Sequence, residues 1–284
     1  MAMEKIKRRR NMDGEEEVDD LFSRLPEGCI SHILSFTSPR DTCRLCAVSR
    51  LFHSASECDQ IWAGFVQSGC LDIRERFDFS FWLGTLGISS NKELFFRLTY
   101  PVLIDYGTMS FSVDKVTGKR CFMLSAVLLR VYSIEPLEFW KWHTFYRSRF
   151  PVYLTFWNVC WLDIEGKINT SMLSSKTTYR AYFVFGMTGG CSYDFYHSEI
   201  SVQLGSFSSN HRSEVCDSVR CWLWDVWHDW VPQRRSDGWM EIVIGDFFVD
   251  EAVEGEVLMS LIMAAGDYME TLFVVEGIDI RPLF

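Results

Sequence analysis

The chain has 284 residues, 48% of them hydrophobic and 15% aromatic, with a formal net charge of −10 and a mean hydropathy of +0.01. That length holds one ordinary domain with a proper core and a smaller one beside it. An acidic chain repels phosphate, so no nucleic acid is expected as a partner. No run of about 18 apolar residues is present, so no membrane span is expected.

Taken in chain order, residues 1–20 place a basic run (Lys5, Lys7, Arg8, Arg9, Arg10) directly before an acidic one (Asp13, Glu15, Glu16, Glu17, Asp19, Asp20). Such blocks are expected to form a solvated, disordered tail. The basic run is of the kind that serves nuclear import. The N-terminus carries no apolar leader, so the expected location is cytoplasmic, nuclear or both. The ten cysteines are then expected as reduced, small core residues. By the same logic Asn169-Thr170-Ser171 is a chance match to a glycosylation sequon.

From Leu21 the pattern turns helical. Ile30, Ile33 and Leu34 fall at i, i+3, i+4, one face of a short helix. Ser38-Pro39-Arg40-Asp41 then reads as a helix start, with Ser38 as N-cap, Pro39 at the first helical position and Asp41 near the positive end of the dipole. The helix that follows is expected to carry Cys43, Cys46, Ala47 and Val48 on its apolar side. A third helix fits Ile61, Trp62, Phe65 and Val66. Three short amphipathic helices in under 50 residues cannot bury all their apolar surface alone, and a partner protein covering the rest is the physical expectation. Residues 68–118 read as a packed connector with helical and extended parts, including a helix at 91–98 ended by Pro101.

Beyond Lys119 alternation dominates. Ile200, Val202 and Leu204 alternate with polar residues, as do Val257, Met259, Leu261 and Met263. Leu272, Val274, Ile278 and Ile280 are expected to share one parity. Tyr179–Met187 and Trp239–Phe248 are nearly continuous apolar runs, as for strands covered on both faces. Gly189-Gly190, Asp237-Gly238 and Gly266-Asp267 read as turns. Many strands without intervening helices indicate an antiparallel sandwich. The fold class is therefore α+β and multidomain: a tail at 1–20, a three-helix module at 21–67, the connector at 68–118 and a β-sandwich at 119–283.

Leu25-Pro26-Glu27, Ile30, Ile33-Leu34, Asp41, Val48-Ser49, Phe52 and Trp62 resemble the F-box motif in order and spacing. The resemblance implies that the module docks on a Skp-type adaptor and so joins a cullin–RING ubiquitin ligase, with Leu25, Pro26, Ile30, Ile33, Leu34, Val48 and Trp62 as the adaptor-binding residues. Physically, Leu25-Pro26 at the entry to the first helix would be an exposed apolar knob stiffened by proline, and such prior order favours docking.

The remainder resembles the phloem protein 2 domain. The segments that carry this are Lys119–Ala126, Phe139-Trp140-Lys141-Trp142, Val159–Ile168, Asp237-Gly238-Trp239-Met240-Glu241 and Val275–Pro282. The resemblance implies a jelly-roll-like sandwich and, in its best-known members, lectin binding of N-acetylglucosamine oligomers or N-glycan cores. Trp140 and Trp142 are the carbohydrate-binding candidates; as alternating residues of an extended segment they are expected to point to opposite sides, one ring toward a glycan and the other into the core. This chain departs from the family at Ser133, where many members carry a Trp associated with sugar binding. Glu241 and Asp246 are expected as solvated residues on a strand and its exit. Cys221–Trp230, with four Trp in ten residues, replaces a variable charged loop and is expected to be partly buried.

Cys43-Arg44-Leu45-Cys46 is a lone CxxC without the second pair that zinc needs. The sequence has no HExxH, GxSxG or Gly-rich phosphate loop, and no metal, cofactor or catalysis is expected. Two functions remain. One is a ligase adaptor whose sandwich selects an unidentified target, which an inherited lectin site would make an N-glycosylated one. The other is a lectin in which the F-box is secondary.

Overall fold

The computed structural model describes residues 21–70, 76, 87–133, 140–144, 148–157, 161–188, 195–205, 219–222, 232–251, 255–265 and 272–283. The expectations for residues 1–20, 189–190, 223–230 and 266–267 lie outside them.

A 3-10 turn at Leu21–Arg24 leads into α1 (Glu27–Ser35), α2 (Pro39–Leu45), α3 (Arg50–Ser56) and α4 (Asp59–Cys70). The start of α2 is as the sequence dictates. The Ser38 hydroxyl accepts the Asp41 N–H at 3.1 Å and donates to the Asp41 carboxylate at 2.8 Å, and Pro39 opens the helix. The module has four helices rather than three. Residues 43–48 do not form an apolar side: α2 buries Pro39 and Thr42 and ends at Leu45, while Cys43 and Val48 are exposed. Ser49 then caps α3 by accepting the Phe52 N–H. α5 (Asn91–Leu98) is the expected connector helix, capped by Ser90, with Leu94, Phe95 and Leu98 buried. No described helix is long and apolar enough to cross a membrane.

Fourteen described strands follow, paired antiparallel: β1 (Val102–Ile104), β2 (Met109–Val113), β3 (Arg120–Ser125), β4 (Arg130–Ser133), β5 (Trp140–His143), β6 (Tyr153–Trp157), β7 (Trp161–Asn169), β8 (Thr177–Thr188), β9 (Phe195–Gly205), β10 (Val219–Trp222), β11 (Gln233–Arg234), β12 (Met240–Val249), β13 (Glu256–Ala265) and β14 (Leu272–Pro282). The larger sheet runs β1-β2-β3-β14-β8-β12-β11, with the β5-β6 pair joined to β14 through β6; the smaller runs β10-β9-β13-β7-β4. The sheet thus begins at Val102, inside the segment read as connector, because β1 and β2 pair onward to β3.

The core lies between the sheets. The smaller sheet contributes Leu162, Ile164, Val257, Met259, Leu261 and Met263, the alternation expected for a strand with one covered face. The larger contributes Phe183, Phe185 and Phe273, with ring centroids 5.3–6.2 Å apart.

Two strands break the expected pattern. In β14 the single parity fails: Phe273 and Val275 enter the core, then Ile278 and Ile280. A bulge between Val275 and Gly277 shifts the register, and one extra residue exchanges the faces. At the same point β14 changes neighbour, from β6 (Leu272–Val275) to β3 (Gly277–Ile280). β12 is not covered on both faces. It alternates around a bulge of its own and leaves Val243 and Phe248 exposed.

Candidate functional site

The F-box-like residues separate into two sets by their position on the helices. Ile30 and Leu34 lie four apart on α1 and face inward, with no solvent exposure, against Phe52, Ala55, Ile61 and Trp62. Trp62 is 1% exposed; its indole N–H donates to the Ser56 carbonyl at 2.8 Å. These three were expected to bind an adaptor. They have no surface to offer one, and hold the module together instead.

The other four face solvent. Leu25 is 36% exposed, Ile33 42% and Val48 66%, and Pro26 is exposed with them. Pro26 is the N-cap residue of α1, and its fixed φ stiffens the entry to the helix. The preceding turn is anchored by the Leu25 N–H on the Phe22 carbonyl and by the Phe22 ring, 5.4 Å from Phe52. Sequence reasoning missed Phe36, the C-cap of α1, which is 77% exposed and set edge-on to His32 at 4.8 Å. Its spacing of three from Ile33, out of phase with Ile30 and Leu34, is the signal that marks it as outward.

In the sandwich, Trp140 and Trp142 sit on β5 opposite Phe156 and Leu154 of β6. The pair divides, but not by alternation: residues two apart on a strand share a face. Trp140 packs on Phe156 at 5.2 Å, and its buried indole N–H has no hydrogen-bond partner among the described residues. Trp142, on the same side, is 55% exposed. Ser133 lies on β4, where its hydroxyl donates to the Trp161 carbonyl at 3.1 Å.

Glu241 and Asp246 are both inside β12, and both are paired. Glu241 accepts from Arg235 at 2.9 Å and Arg281 at 2.7 Å; Arg235 also reaches Asp279 at 2.9 Å, and the Arg281 guanidinium lies 3.7 Å from the Tyr182 ring centroid. Asp246 holds Arg180 through two bonds of 2.6 and 2.7 Å. The expectation of solvated carboxylates holds for Asp246, which stays exposed while it pairs with Arg180, and is corrected for Glu241, which is largely covered and neutralised by two arginines.

Comparison with known proteins fits this arrangement. An F-box-like pattern matches residues 22–68, and a phloem protein 2 pattern matches residues 119–282. The "Putative F-box protein PP2-B12" of Arabidopsis thaliana is 39% identical over 265 residues, 92% of this chain and 98% of its own. This chain belongs to the F-box proteins of the phloem protein 2 family. A second relative of this family, "F-box protein PP2-B10" of Arabidopsis thaliana, is 35% identical over 97% of this chain and 98% of its own. Family likeness and geometry thus converge on an F-box module followed by a phloem protein 2 sandwich. Among solved structures, the carbohydrate-binding module TmCBM61 in complex with β-1,4-galactotriose aligns at a TM-score of 0.29 and 10% identity, over 55% of this chain and 88% of that one. That likeness is too distant to bear on what this chain binds.

Proposed function

We propose that this protein is a non-catalytic substrate-recognition adaptor of a Skp–cullin–F-box ubiquitin ligase. The observation that carries this reading is the exposed apolar set Leu25, Pro26, Ile33, Phe36 and Val48 on a module whose own core is already filled. Apolar side chains left out of a complete core are available to a second protein, and hydrophobic anchors of this kind dominate docking energies. The partner is a Skp-type adaptor, and through it the cullin–RING core. The sandwich then selects the target in the cytoplasm, the nucleus or both. The thioester chemistry belongs to the conjugating enzyme, while this chain supplies proximity.

The test is capture. Leu25→Ala with Pro26→Ala in the full chain is expected to abolish co-purification with the Skp-type adaptor while leaving the thermal transition in place, because both side chains stand clear of the core. Undiminished capture by that variant refutes the reading.

The second reading, a lectin-like sandwich selecting a glycosylated target, is favoured by one observation: Trp142 on β5 is 55% exposed. An exposed indole face suits the C–H surface of a pyranose. Glycan-array binding by the full chain that is lost in Trp142→Ala supports it. An array without signal leaves protein recognition as the sandwich's role.

A further inference from the structure

The helical module meets α5 and the β2–β3 turn of the larger sheet along a packed seam with three components. The first is aromatic: Trp62 of α4 lies 5.4 Å from both Phe95 and Phe96 of α5, and Phe65 lies 6.1 Å from Phe95. Phe95 is fully buried, and one continuous hydrophobic cluster runs from Ile30 through it to Ile280. The second is polar. The Asp59 carboxylate takes both the backbone N–H of Asn91 at 2.7 Å and its side-chain amide at 2.6 Å. Lys92 pairs with Glu57 and stands 5.5 Å over the Trp62 ring.

The third component is the turn between β2 and β3. Asp114 accepts the N–H groups of Val116 and Thr117 and so fixes this turn. Its far side touches α2: the Arg40 N–H donates to the Val116 carbonyl at 3.3 Å, and a Cβ on Gly118 would stand 3.2 Å from Pro39 Cγ. Gly118 has φ +73°, a conformation that suits glycine. Domains within a chain move relative to one another by default unless their interface is substantial and apolar. Here the interface is an extension of the core, closed on two sides by hydrogen bonds.

We infer that Glu57, Asp59, Trp62, Asn91, Lys92 and Phe95 are positioning residues: they lock the adaptor-docking face and the target-selecting sandwich into one orientation. A target bound to the sandwich is then held at one distance from the ligase core, which raises its effective concentration at the conjugating enzyme more than a loose tether would. This rests on the adaptor reading for its purpose but not for its geometry.

The test is ¹⁵N relaxation on the full chain, paired with capture of a Skp-type adaptor. Amides of α1–α4 and of β7, β8 and β13 are expected to report a single rotational correlation time. Phe95→Ala is expected to shorten the time of α1–α4 relative to the strands while adaptor capture persists. Should Phe95→Ala fail to fold, Asp59→Ala with Lys92→Ala, which removes no core side chain, is expected to shift it in the same direction. Two correlation times in the unsubstituted chain, or one unchanged time in the folded seam variants, overturns the inference. A single time without adaptor capture leaves the locked seam standing and removes the ligase role.

Discussion

Glu276 shows how one residue can govern a junction. It occupies the bulge where β14 leaves β6 for β3, and it is 1% exposed. Its carboxylate accepts from the Ser148 hydroxyl and from the Arg149 N–H at 2.7 Å, tying the segment before β6 to the sheet. Burial pushes its pKa above the ordinary carboxylate range, outweighing the hydrogen bonds from Arg149 and Ser148 that pull it down. A carboxyl whose folded pKa lies above its unfolded one takes up a proton on folding between the two values. Its contribution to stability therefore grows as pH falls through that window and is lost as pH rises past the folded pKa. Urea midpoints of the unsubstituted chain, relative to Glu276→Gln, are expected to improve as pH falls from neutral toward the ordinary carboxylate range. A difference that stays constant across that range contradicts the assignment.

At the scale of elements, β14 is the strand on which the larger sheet turns. Gly277 lies so close to β3 that an added Cβ would stand 1.9 Å from the Leu124 carbonyl oxygen. Backbone cannot yield as a flexible side chain does, so Gly277→Ala must part β14 from β3. A loss of more than about 3 kcal/mol is expected in urea unfolding, and a loss under about 1 kcal/mol would show that the strands separate at little cost. The same strand explains what its sequence concealed. In β13, Val257, Met259, Leu261 and Met263 keep one parity throughout, so their pattern could be read directly. In β14 the parity changes at Glu276, and nothing in the local residue types announces a bulge. α3 was hidden for another reason: Arg50–Ser56 is two turns long and mostly polar, too short for a periodic signal. The F-box-like residues were legible as a motif, but not their division. Ile30 and Ile33 are the same residue type, and only the packing of α3 and α4 decides which of them faces solvent.

At the scale of the whole molecule, a core shared by helices and sheets implies shared stability. Elements that bury surface against one another unfold together when neither can keep its core alone. Far-ultraviolet circular dichroism, which reports the helices, and near-ultraviolet signals of the sandwich aromatics are expected to melt in coincident transitions. An earlier, separate loss of helix would show two independent units. The overall order of the chain was legible because the change from helical spacing to alternation is abrupt. The seam was not, since Asp59 with Asn91 and Pro39 with Gly118 are far apart in sequence and ordinary in type.

The burial of Phe95 against Trp62 also bears on how such genes can be cut and rejoined. Judged by motif, the F-box is a cassette that ends near residue 67 and could be exchanged for any other. Judged by packing, that cut would strip Trp62 of its neighbours on α5 and leave an apolar wound on both pieces. A transplantable unit has to extend through Leu98 and meet a matching β2–β3 turn. Inheritance of the two halves is therefore expected to be coupled, and a chimaera assembled at the motif boundary would carry both domains and lack the joint between them.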